Sequence, residues 1–234
     1  MLAHFGHQGW WPGDTPFEVC VGAILTQNTS WTNVERAIAQ LRAAEVLDPW
    51  TLYALDEARL ATLIRPAGYF NVKARRLRSF LRVLCEQYKG DLQRLFAGST
   101  GAVRERLLAI SGIGPETADS MLLYAGEHHR FVIDAYARRI FQRHGWAEPE
   151  AAYEALQAQC EISLNEKPAH QRLDYWQDFH AQLVMVGKHF CRRTNPDCAQ
   201  CPLRPLLPDY PATVSSSALI SSSKCSKRAS LSEF

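Results

Sequence analysis

The chain has 234 residues, of which 47% are hydrophobic and 21% are charged, and its formal net charge is +2. This composition is typical of a globular chain and excludes a collagen-like or wholly disordered protein. No apolar run approaches the roughly 18 residues of a membrane-spanning helix, and the first 14 residues lack the pattern of a secretory signal peptide. We therefore expect a cytoplasmic protein of one large domain or two small ones, without a membrane partner.

Apolar residues recur at the spacing of amphipathic helices along most of the chain, and no segment alternates in the manner of a strand. Asp56 and Asn71 stand where two of these helices would have their N-caps, and Asp48 precedes a proline that can open another. An apolar segment at 17–25 leads into the first predicted helix, and the predicted helices cover 32–44, a segment from 49, 57–64, 72–86, 103–110, 115–124, 135–144, 148–163 and 173–190. The sequence therefore predicts an all-α fold.

Two glycines, Gly112 and Gly114, separate two helical patterns, and Pro115 begins the second of them. Proline is favoured at the first helical position because its missing N–H would have no partner within the helix there. The free amides and the dipole of such a helix start can bind a phosphate. Asp134 follows three apolar residues, 18 positions after Glu116. A phosphate-binding hairpin together with this carboxylate indicates an enzyme that acts on nucleic acid.

Positive charge is concentrated between positions 58 and 85, a segment with seven basic residues and no acidic one. These residues are Arg59, Arg65, Lys73, Arg75, Arg76, Arg78 and Arg82. Taken alone, such a run is most often a solvated helix face. Beside a phosphate-binding hairpin, it favours a surface that contacts the DNA backbone without reading the base sequence.

The ordered motifs resemble those of the endonuclease III, or helix-hairpin-helix-GPD (HhH-GPD), superfamily of DNA glycosylases. They are LTQNT at 25–29, GYFNVKA at 68–74, the hairpin, Asp134 and a cysteine cluster, and the likeness spans about 10–210. The resemblance implies an all-α, two-domain fold with a central cleft. A six-helix domain at 21–129 would carry the hairpin, and 1–20 with 130–210 would form the second domain. Residues 211–234, nine of which are serine, are predicted to be a disordered tail.

The resemblance assigns Asp134 as the carboxylate that stabilises the positive charge of the sugar while the base departs. The structural alternative is an N-cap of the following helix, and the two roles are compatible. Bifunctional members of the family have a lysine at the position of Glu116, and its amine forms a Schiff base with the sugar. Glu116 has no amine, so the resemblance implies a monofunctional enzyme. Without such a role, Glu116 is an ordinary acidic residue of a first helical turn.

The resemblance also places part of the chain on DNA. Its hairpin contacts are Gly112, Ile113, Gly114, Glu116 and Thr117. It adds Gln27, as the side chain that fills the gap left by an extruded base, and Lys73 in the basic segment. A side-chain amide can both donate to and accept from the unpaired base opposite. The alternative for Gln27 is an ordinary hydrogen bond at a helix end.

Three tryptophans resemble the alkylated-base branch of the family, 3-methyladenine DNA glycosylase III, whose base pocket uses aromatic stacking at matching positions. The predicted pocket residues are Trp10, Trp11, Pro12, Trp31 and Lys188. An alkylated purine is cationic, so an indole face attracts its ring. For an arbitrary tryptophan, core packing is the more common role, and both interpretations stay open.

The chain has seven cysteines, and without a secretion signal we do not expect a disulfide framework. Cys20, Cys85 and Cys160 occupy apolar helical contexts that are typical of small core residues. The spacing C-x6-C-x2-C is found at Cys191, Cys198 and Cys201. In the superfamily this spacing, completed by C-x5-C, binds a [4Fe-4S] cluster through four thiolates. The last position of that pattern is Leu207 here.

Three interpretations of this cysteine loop stay open. In the first, a [4Fe-4S] cluster takes its fourth ligand from elsewhere, for example from Cys225. In the second, the three cysteines bind zinc together with His189, since zinc accepts three thiolates and one imidazole. In the third, the loop holds no metal. We favour the iron–sulfur cluster.

Together these features predict a monofunctional DNA glycosylase of base-excision repair, which hydrolyses the N-glycosidic bond of a damaged base, alkylated in the favoured case. The expected partner is double-stranded DNA with such a base, bound by a monomer that associates with the nucleoid. One alternative is an endonuclease III-type glycosylase and abasic-site lyase for oxidised pyrimidines, against which Glu116 argues. Another is a non-catalytic DNA-binding relative, against which Asp134 argues.

Overall fold

A computed structural model describes residues 1–11, 13–166 and 169–208. The α-helices are α1 (Leu2–Phe5), α2 (Pro16–Leu25), α3 (Trp31–Ala43), α4 (Pro49–Ala54), α5 (Glu57–Leu63), α6 (Phe70–Arg82), α7 (Leu92–Leu95), α8 (Thr100–Leu108), α9 (Pro115–Tyr124), α10 (Ala135–Arg143), α11 (Tyr153–Leu164) and α12 (Ala169–His189). None of the described residues lies in a β-strand, so the all-α prediction is confirmed. Among the described helices, none has the length and apolar character needed to cross a bilayer. The predicted tail at 211–234 lies outside the described residues.

Two compact units make up the chain. The central unit covers Trp11–Arg130, and the terminal unit combines Met1–Trp10 with the described residues from Phe131 to 208. Helix α2 is the buried centre of the central unit, since every residue from Phe17 to Leu25 is buried. It packs against α3, α6 and α9. The six-helix domain was predicted to begin at position 21, which lies inside α2. In the structure, the whole of α2 belongs to the central unit.

Short polar side chains cap the N-termini of several helices of the central unit. The carboxylate of Asp48 accepts hydrogen bonds from the N–H groups of Trp50 and Thr51 at the start of α4. The carboxylate of Asp56 accepts from the N–H of Arg59 at the start of α5. Both predicted helix starts are confirmed. Each such cap contributes about 1 kcal/mol, because it satisfies amides that have no partner within the helix.

The N-cap predicted at Asn71 is wrong. Helix α6 begins at Phe70, directly after Tyr69, whose φ of 45° is left-handed. Gly68 also has a positive φ, 68°, so the chain turns before Asn71 rather than at it. The α-helix predicted over 72–86 ends at Arg82 and continues as a π-helical turn at 83–87. Apolar spacing alone does not distinguish such a turn from an α-helix.

The starts of two later helices also differ from the sequence prediction. The helix predicted over 148–163 begins at Tyr153, because 148–151 form a turn in which the N–H of Ala151 donates to the carbonyl of Glu148 at 3.1 Å. The last long helix starts at Ala169 rather than at 173. The four-residue helices α1 and α7 were missed, since one turn is too short to produce a periodic pattern.

A buried ion pair joins α8 to α9, the two helices on either side of the hairpin. Arg104 of α8 donates to both carboxylate oxygens of Asp119 on α9, at 2.7 Å from Nε and 3.2 Å from Nη2. The side chain of Asp119 is 0% exposed, and Nε of Arg130 lies 3.7 Å from the same carboxylate. A bidentate pair specifies both distance and orientation. The relative placement of α8 and α9 is therefore fixed by this contact.

In the terminal unit, α10 packs along α12. Gly187 of α12 lies against Tyr136 of α10, and a Cβ added at Gly187 would be 2.3 Å from Cδ1 of that ring. Arg139 of α10 donates to the carbonyls of Gly187 at 3.3 Å and Cys191 at 2.7 Å. The close approach at Gly187 and these hydrogen bonds together set the separation of the two helices.

We expect Arg104→Met to lower the free energy of unfolding by about 3–5 kcal/mol, because it leaves the carboxylate of Asp119 buried without its bidentate partner. Arg94→Met is the matched control, since Arg94 pairs with Asp91 at the surface and such pairs contribute less than about 1 kcal/mol. Denaturant unfolding followed by circular dichroism measures both variants. Equal stability of Arg104→Met and the parent protein would contradict the role given to the pair.

Candidate nucleic-acid interface and active site

The hairpin between α8 and α9 contains two glycines with different environments. Gly112 adopts a φ of 91°, and a Cβ added there would be 2.3 Å from Cγ of Arg76. A left-handed conformation and a close contact both require glycine at this position. Gly114 is the N-cap of α9 with an extended backbone, and nothing lies within 4 Å of an added Cβ. Ile113, between them, is buried and anchors the turn.

The start of α9 is suited to an anion. Pro115 occupies the first helical position, as predicted, and Gly114 and Glu116 are exposed. The first-turn N–H groups have no acceptor within the helix, and the helix dipole adds a partial positive charge there. Thr117, the next residue, is buried. The accessible side chain of this turn is therefore the carboxylate of Glu116.

The side-chain amide of Gln27 contacts the hairpin. Its Nε2 donates to the carbonyl of Gly112 and to Oγ1 of Thr117, both at 3.0 Å, and its Oε1 accepts from Nη1 of Arg76. A groove of about 450 Å³ lies at this place, lined by Gln27, Asn28, Arg76 and 112–117. The insertion of Gln27 into a duplex stays a prediction, and it requires these hydrogen bonds to be exchanged.

Lys73 is a buried residue, which corrects its predicted contact with DNA. It is 1% exposed, and its Nζ donates to the carbonyls of Leu25 at 2.9 Å and Ala67 at 2.7 Å. Burial, with a smaller effect from the charge of Arg76, lowers the pKa of Lys73 to about 8. The ammonium group thus joins the end of α2 to the turn before α6 and is not available to a phosphate.

The six arginines of the basic segment fall into two groups, those with a hydrogen-bond partner in the protein and those that are exposed. Two arginines have partners within the protein: Arg76 donates to Gln27, and Arg78 donates to the carbonyl of Leu55. The exposed arginines of the segment are Arg59, Arg65, Arg75 and Arg82. Of the seven basic residues, these four are therefore the ones whose charge is exposed, and their contact with DNA stays a prediction.

Tyr69 is a candidate DNA contact that the sequence analysis missed. It is 71% exposed and adopts a φ of 45°. A bulky residue in a left-handed conformation is strained, and such strain is concentrated at functional sites. The signal in the sequence is an aromatic residue between Gly68 and the basic helix α6, which is too common a pattern to identify the site.

Trp11 and Trp31 lie together in the central unit, with ring centroids 5.2 Å apart in an edge-to-face arrangement. Tyr124 packs against Trp11 with a centroid distance of 5.1 Å, and Nε1 of Trp31 donates to Oε1 of Glu35 at 2.9 Å. Both indoles are partly buried. They therefore have the mixed exposure expected of a stacking surface rather than that of a closed core.

The other predicted pocket residues are in different places. Trp10 belongs to the terminal unit and is partly buried, and Lys188 is exposed on α12. Pro12 lies outside the described residues. The central unit therefore brings together Trp11 and Trp31, and it adds Tyr124, which the sequence pattern did not indicate.

Asp134 stands in the terminal unit at the start of α10. Its Oδ1 accepts from the N–H of Ala137 at 2.7 Å, so the N-cap interpretation is confirmed. Its side chain is 13% exposed, and the segment before it is buried, with Phe131, Val132 and Ile133 at 0%, 1% and 2%. The carboxylate is mostly shielded, and its Oδ2 is not part of the cap.

Helix α11 fixes the segment that leads to the carboxylate. The N–H of Phe131 donates to Oε1 of Glu161 at 2.9 Å, and the N–H of Ile133 donates to the hydroxyl of Tyr153 at 3.4 Å. Because both partners are side chains of α11, the extended segment needs no neighbouring strand to satisfy these amides. The position of Asp134 is thus set by α11 on one side and by its cap on the other.

Cys191, Cys198 and Cys201 line one small cavity of about 20 Å³ in the terminal unit. Leu207 lines the same cavity, so an apolar side chain stands where the cluster pattern has its fourth thiolate. Within the described residues, no group of three or more His, Cys, Asp or Glu side chains is arranged to hold a metal ion. The residues present do not fit a four-thiolate cluster, and the predicted [4Fe-4S] cluster is not confirmed.

In the part of the chain that the structure describes, no fourth metal ligand comes from either of the two residues suggested for that role, His189 and Cys225. His189 is exposed and does not line the cavity, and Cys225 lies outside the described residues. Burial raises the pKa of the Cys198 thiol and of the Cys201 thiol. Both groups are therefore protonated at neutral pH in the absence of a bound cation.

The sequence is similar to a known superfamily and to individual proteins of related sequence. Residues 21–166 match the HhH-GPD superfamily of base excision DNA repair proteins. MJ1434 of Methanocaldococcus jannaschii, provisionally described as a DNA repair glycosylase, is 42% identical over 206 residues, which cover 87% of this chain and 90% of that protein. Endonuclease III of Thermotoga maritima is 30% identical over 81% of each chain.

Two solved structures of DNA glycosylases have a fold similar to that of this chain. The H. pylori 3-methyladenine DNA glycosylase (MagIII), bound to 1,N6-ethenoadenine, has a TM-score of 0.66 and 27% identity over 76% of this chain and 87% of that one. A non-covalent endonuclease III–DNA complex has a TM-score of 0.72 and 20% identity over 88% of this chain and 90% of that one.

The chain belongs to the HhH-GPD superfamily, and its all-α fold is endonuclease III-like. It is an enzyme of the DNA glycosylase class. The hairpin with Gly112 and Gly114 is the helix-hairpin-helix element after which the superfamily is named.

We expect Gly112→Ala to destabilise the protein by about 2–4 kcal/mol and to weaken duplex binding, because alanine meets both an unfavourable φ and the stem of Arg76. Gly114→Ala is the control for stability, since its added methyl group is free of contacts and only a weaker N-cap results, at a cost below about 1 kcal/mol. Thermal unfolding and fluorescence anisotropy with an undamaged duplex measure the two effects. Equal stability of the two variants would contradict this account of the hairpin.

Proposed function

We propose that the protein is a monofunctional DNA glycosylase that hydrolyses the N-glycosidic bond of an alkylated base in duplex DNA and acts as a monomer. The observation that carries the proposal is the placement of Asp134. A shielded carboxylate with one oxygen in a helix cap and the other outside it is suited to act on a cationic sugar.

The carboxylate would serve in two ways. Its charge stabilises the oxocarbenium-like sugar that forms as the bond between C1′ and the base nitrogen breaks. It then takes a proton from the water that adds to C1′, while the electron pair of the broken bond leaves with the base. An N-alkylated purine is already cationic, so it departs as a neutral base without a proton from the protein. One carboxylate is therefore sufficient for this substrate class.

Glu116 supports hydrolysis rather than lyase chemistry. A lyase needs an amine that attacks C1′ and forms a Schiff base, and the exposed side chain in the first turn of α9 is a carboxylate. With no amine in that turn, water is the expected nucleophile and an intact abasic site is the expected product.

Aromatic side chains support an alkylated base as the substrate. The indoles of Trp11 and Trp31 are partly buried and lie in contact, and a cationic ring is stabilised on such faces. The similarity to a 3-methyladenine DNA glycosylase bound to 1,N6-ethenoadenine points to the same class of substrate. Exposed Tyr69 would add a second stacking contact on the DNA strand beside the basic surface.

A second candidate is an endonuclease III-type glycosylase and lyase for oxidised pyrimidines. The identity of 30% with endonuclease III of Thermotoga maritima favours it, and Lys188 is an exposed amine in the terminal unit. The carboxylate at Glu116 argues against it, because Lys188 would then have to replace the amine that the hairpin lacks.

The proposal is tested with duplexes that carry 3-methyladenine, uracil, thymine glycol or an A·8-oxoguanine pair, with base release measured in single turnover. We expect release of 3-methyladenine by the parent protein. Asp134→Asn should slow it at least about 100-fold while duplex affinity is unchanged, because asparagine retains the cap but not the charge. Asp174→Asn, which changes an exposed carboxylate of the same unit, is the control.

Base release by Asp134→Asn at the parent rate would overturn the catalytic role of the carboxylate. Release of thymine glycol but not of 3-methyladenine would contradict the alkylated-base assignment and favour the second candidate. Duplex binding without release of any of the four bases would favour a non-catalytic relative.

A further inference from the structure

A buried histidine of α12 faces the candidate catalytic carboxylate. His180 is 3% exposed, and its Nε2 lies 3.7 Å from Oδ2 of Asp134. Both residues belong to the terminal unit. A buried imidazole needs hydrogen-bond partners for its ring nitrogens, because an unsatisfied polar group is costly to bury.

The two carboxylate oxygens of Asp134 have different neighbours. Oδ1 accepts from the N–H of Ala137 in the cap, while Oδ2 is the oxygen that faces His180. A separation of 3.7 Å is longer than a direct hydrogen bond and short enough to be closed by a small rotation or bridged by one water. The carboxylate is thus held between a backbone amide of α10 and an imidazole of α12.

Packing limits the freedom of this imidazole. The ring of His180 meets Phe131 edge to face with centroids 6.1 Å apart, and Phe131 is 0% exposed. The distance between α10 and α12 is set at Gly187, which lies against Tyr136. The imidazole and the carboxylate therefore belong to two elements whose spacing cannot vary freely.

Three other charged side chains of α10, α11 and α12 have partners of their own. Oε1 of Glu161 on α11 accepts from the N–H of Phe131, and Oδ1 of Asp178 on α12 accepts from the N–H of Gln8 at 2.8 Å. Arg139 of α10 donates to carbonyls at the end of α12. Among the contacts described for His180, the charged one is the carboxylate of Asp134.

We propose that His180 is a positioning residue for Asp134, which donates from Nε2 to Oδ2 and so holds the ionised carboxylate in its reactive orientation. The inference rests on the proposed function, because it gives His180 a role only if Asp134 is the catalytic group. It adds a residue from α12, 46 positions further along the chain, to the residues that determine the rate of base release.

Two substitutions separate positioning from packing. His180→Leu replaces the imidazole with an apolar side chain of similar bulk and so removes the donor. His180→Gln instead places an amide N–H near the position of Nε2. We expect His180→Leu to slow single-turnover base release about 10- to 100-fold without a change in duplex affinity. His180→Gln should recover most of the lost rate. His7→Asn, which changes a half-exposed histidine of the same unit, is the control.

The ¹⁵N resonances of His180 provide a readout that a purely structural role would not change. In ¹⁵N spectra of the parent protein, the Nε2 resonance of His180 should shift when Asp134 is changed to asparagine.

A parent-like rate for His180→Leu would overturn the proposal, provided that Asp134→Asn abolishes base release. Equal losses in His180→Leu and His180→Gln, together with an Nε2 resonance of His180 that does not respond to Asp134→Asn, would also overturn it and show that the ring only packs. Base release by Asp134→Asn at the parent rate is a different outcome, since it would remove the proposed function itself.

Discussion

The buried ion pair between Arg104 and Asp119 is the interaction on which the candidate nucleic-acid interface depends. It fixes α8 against α9, and the hairpin between these helices is fixed with them. Gly112 then lies against the stem of Arg76, and its carbonyl accepts from Gln27. A site that binds phosphate through backbone amides needs this rigidity, because amides cannot adjust to a ligand as a long side chain can.

In the terminal unit, hydrogen bonds within the protein also fix the position of the carboxylate of Asp134. Asp134 uses one oxygen as a helix cap, and the buried segment before it is attached to α11. The structural and catalytic interpretations of this residue therefore describe one arrangement, in which the cap also orients the reactive group. The cysteine loop differs, since Leu207 leaves its ligand pattern incomplete. Nothing in the proposed chemistry requires a cluster there.

Features with a local cause could be predicted from the sequence. The helix start at Pro115 and the N-cap at Asp56 depend on a residue and its nearest neighbours along the chain. The burial of Lys73 could not be predicted, because it shares a basic segment with exposed arginines and one of its carbonyl partners is 48 residues away. The approach of His180 to Asp134 likewise depends on how α12 packs against α10, which no local pattern encodes.

Trapping with borohydride tests the central claim, hydrolysis at a carboxylate, most directly. A 3-methyladenine duplex is incubated with the protein in the presence of borohydride, and released base, strand breaks and covalent protein–DNA adducts are measured separately. The account predicts free base, an unbroken strand with an abasic site, and no adduct. An adduct that forms in proportion to base release would contradict it, because a Schiff base requires an amine as the nucleophile.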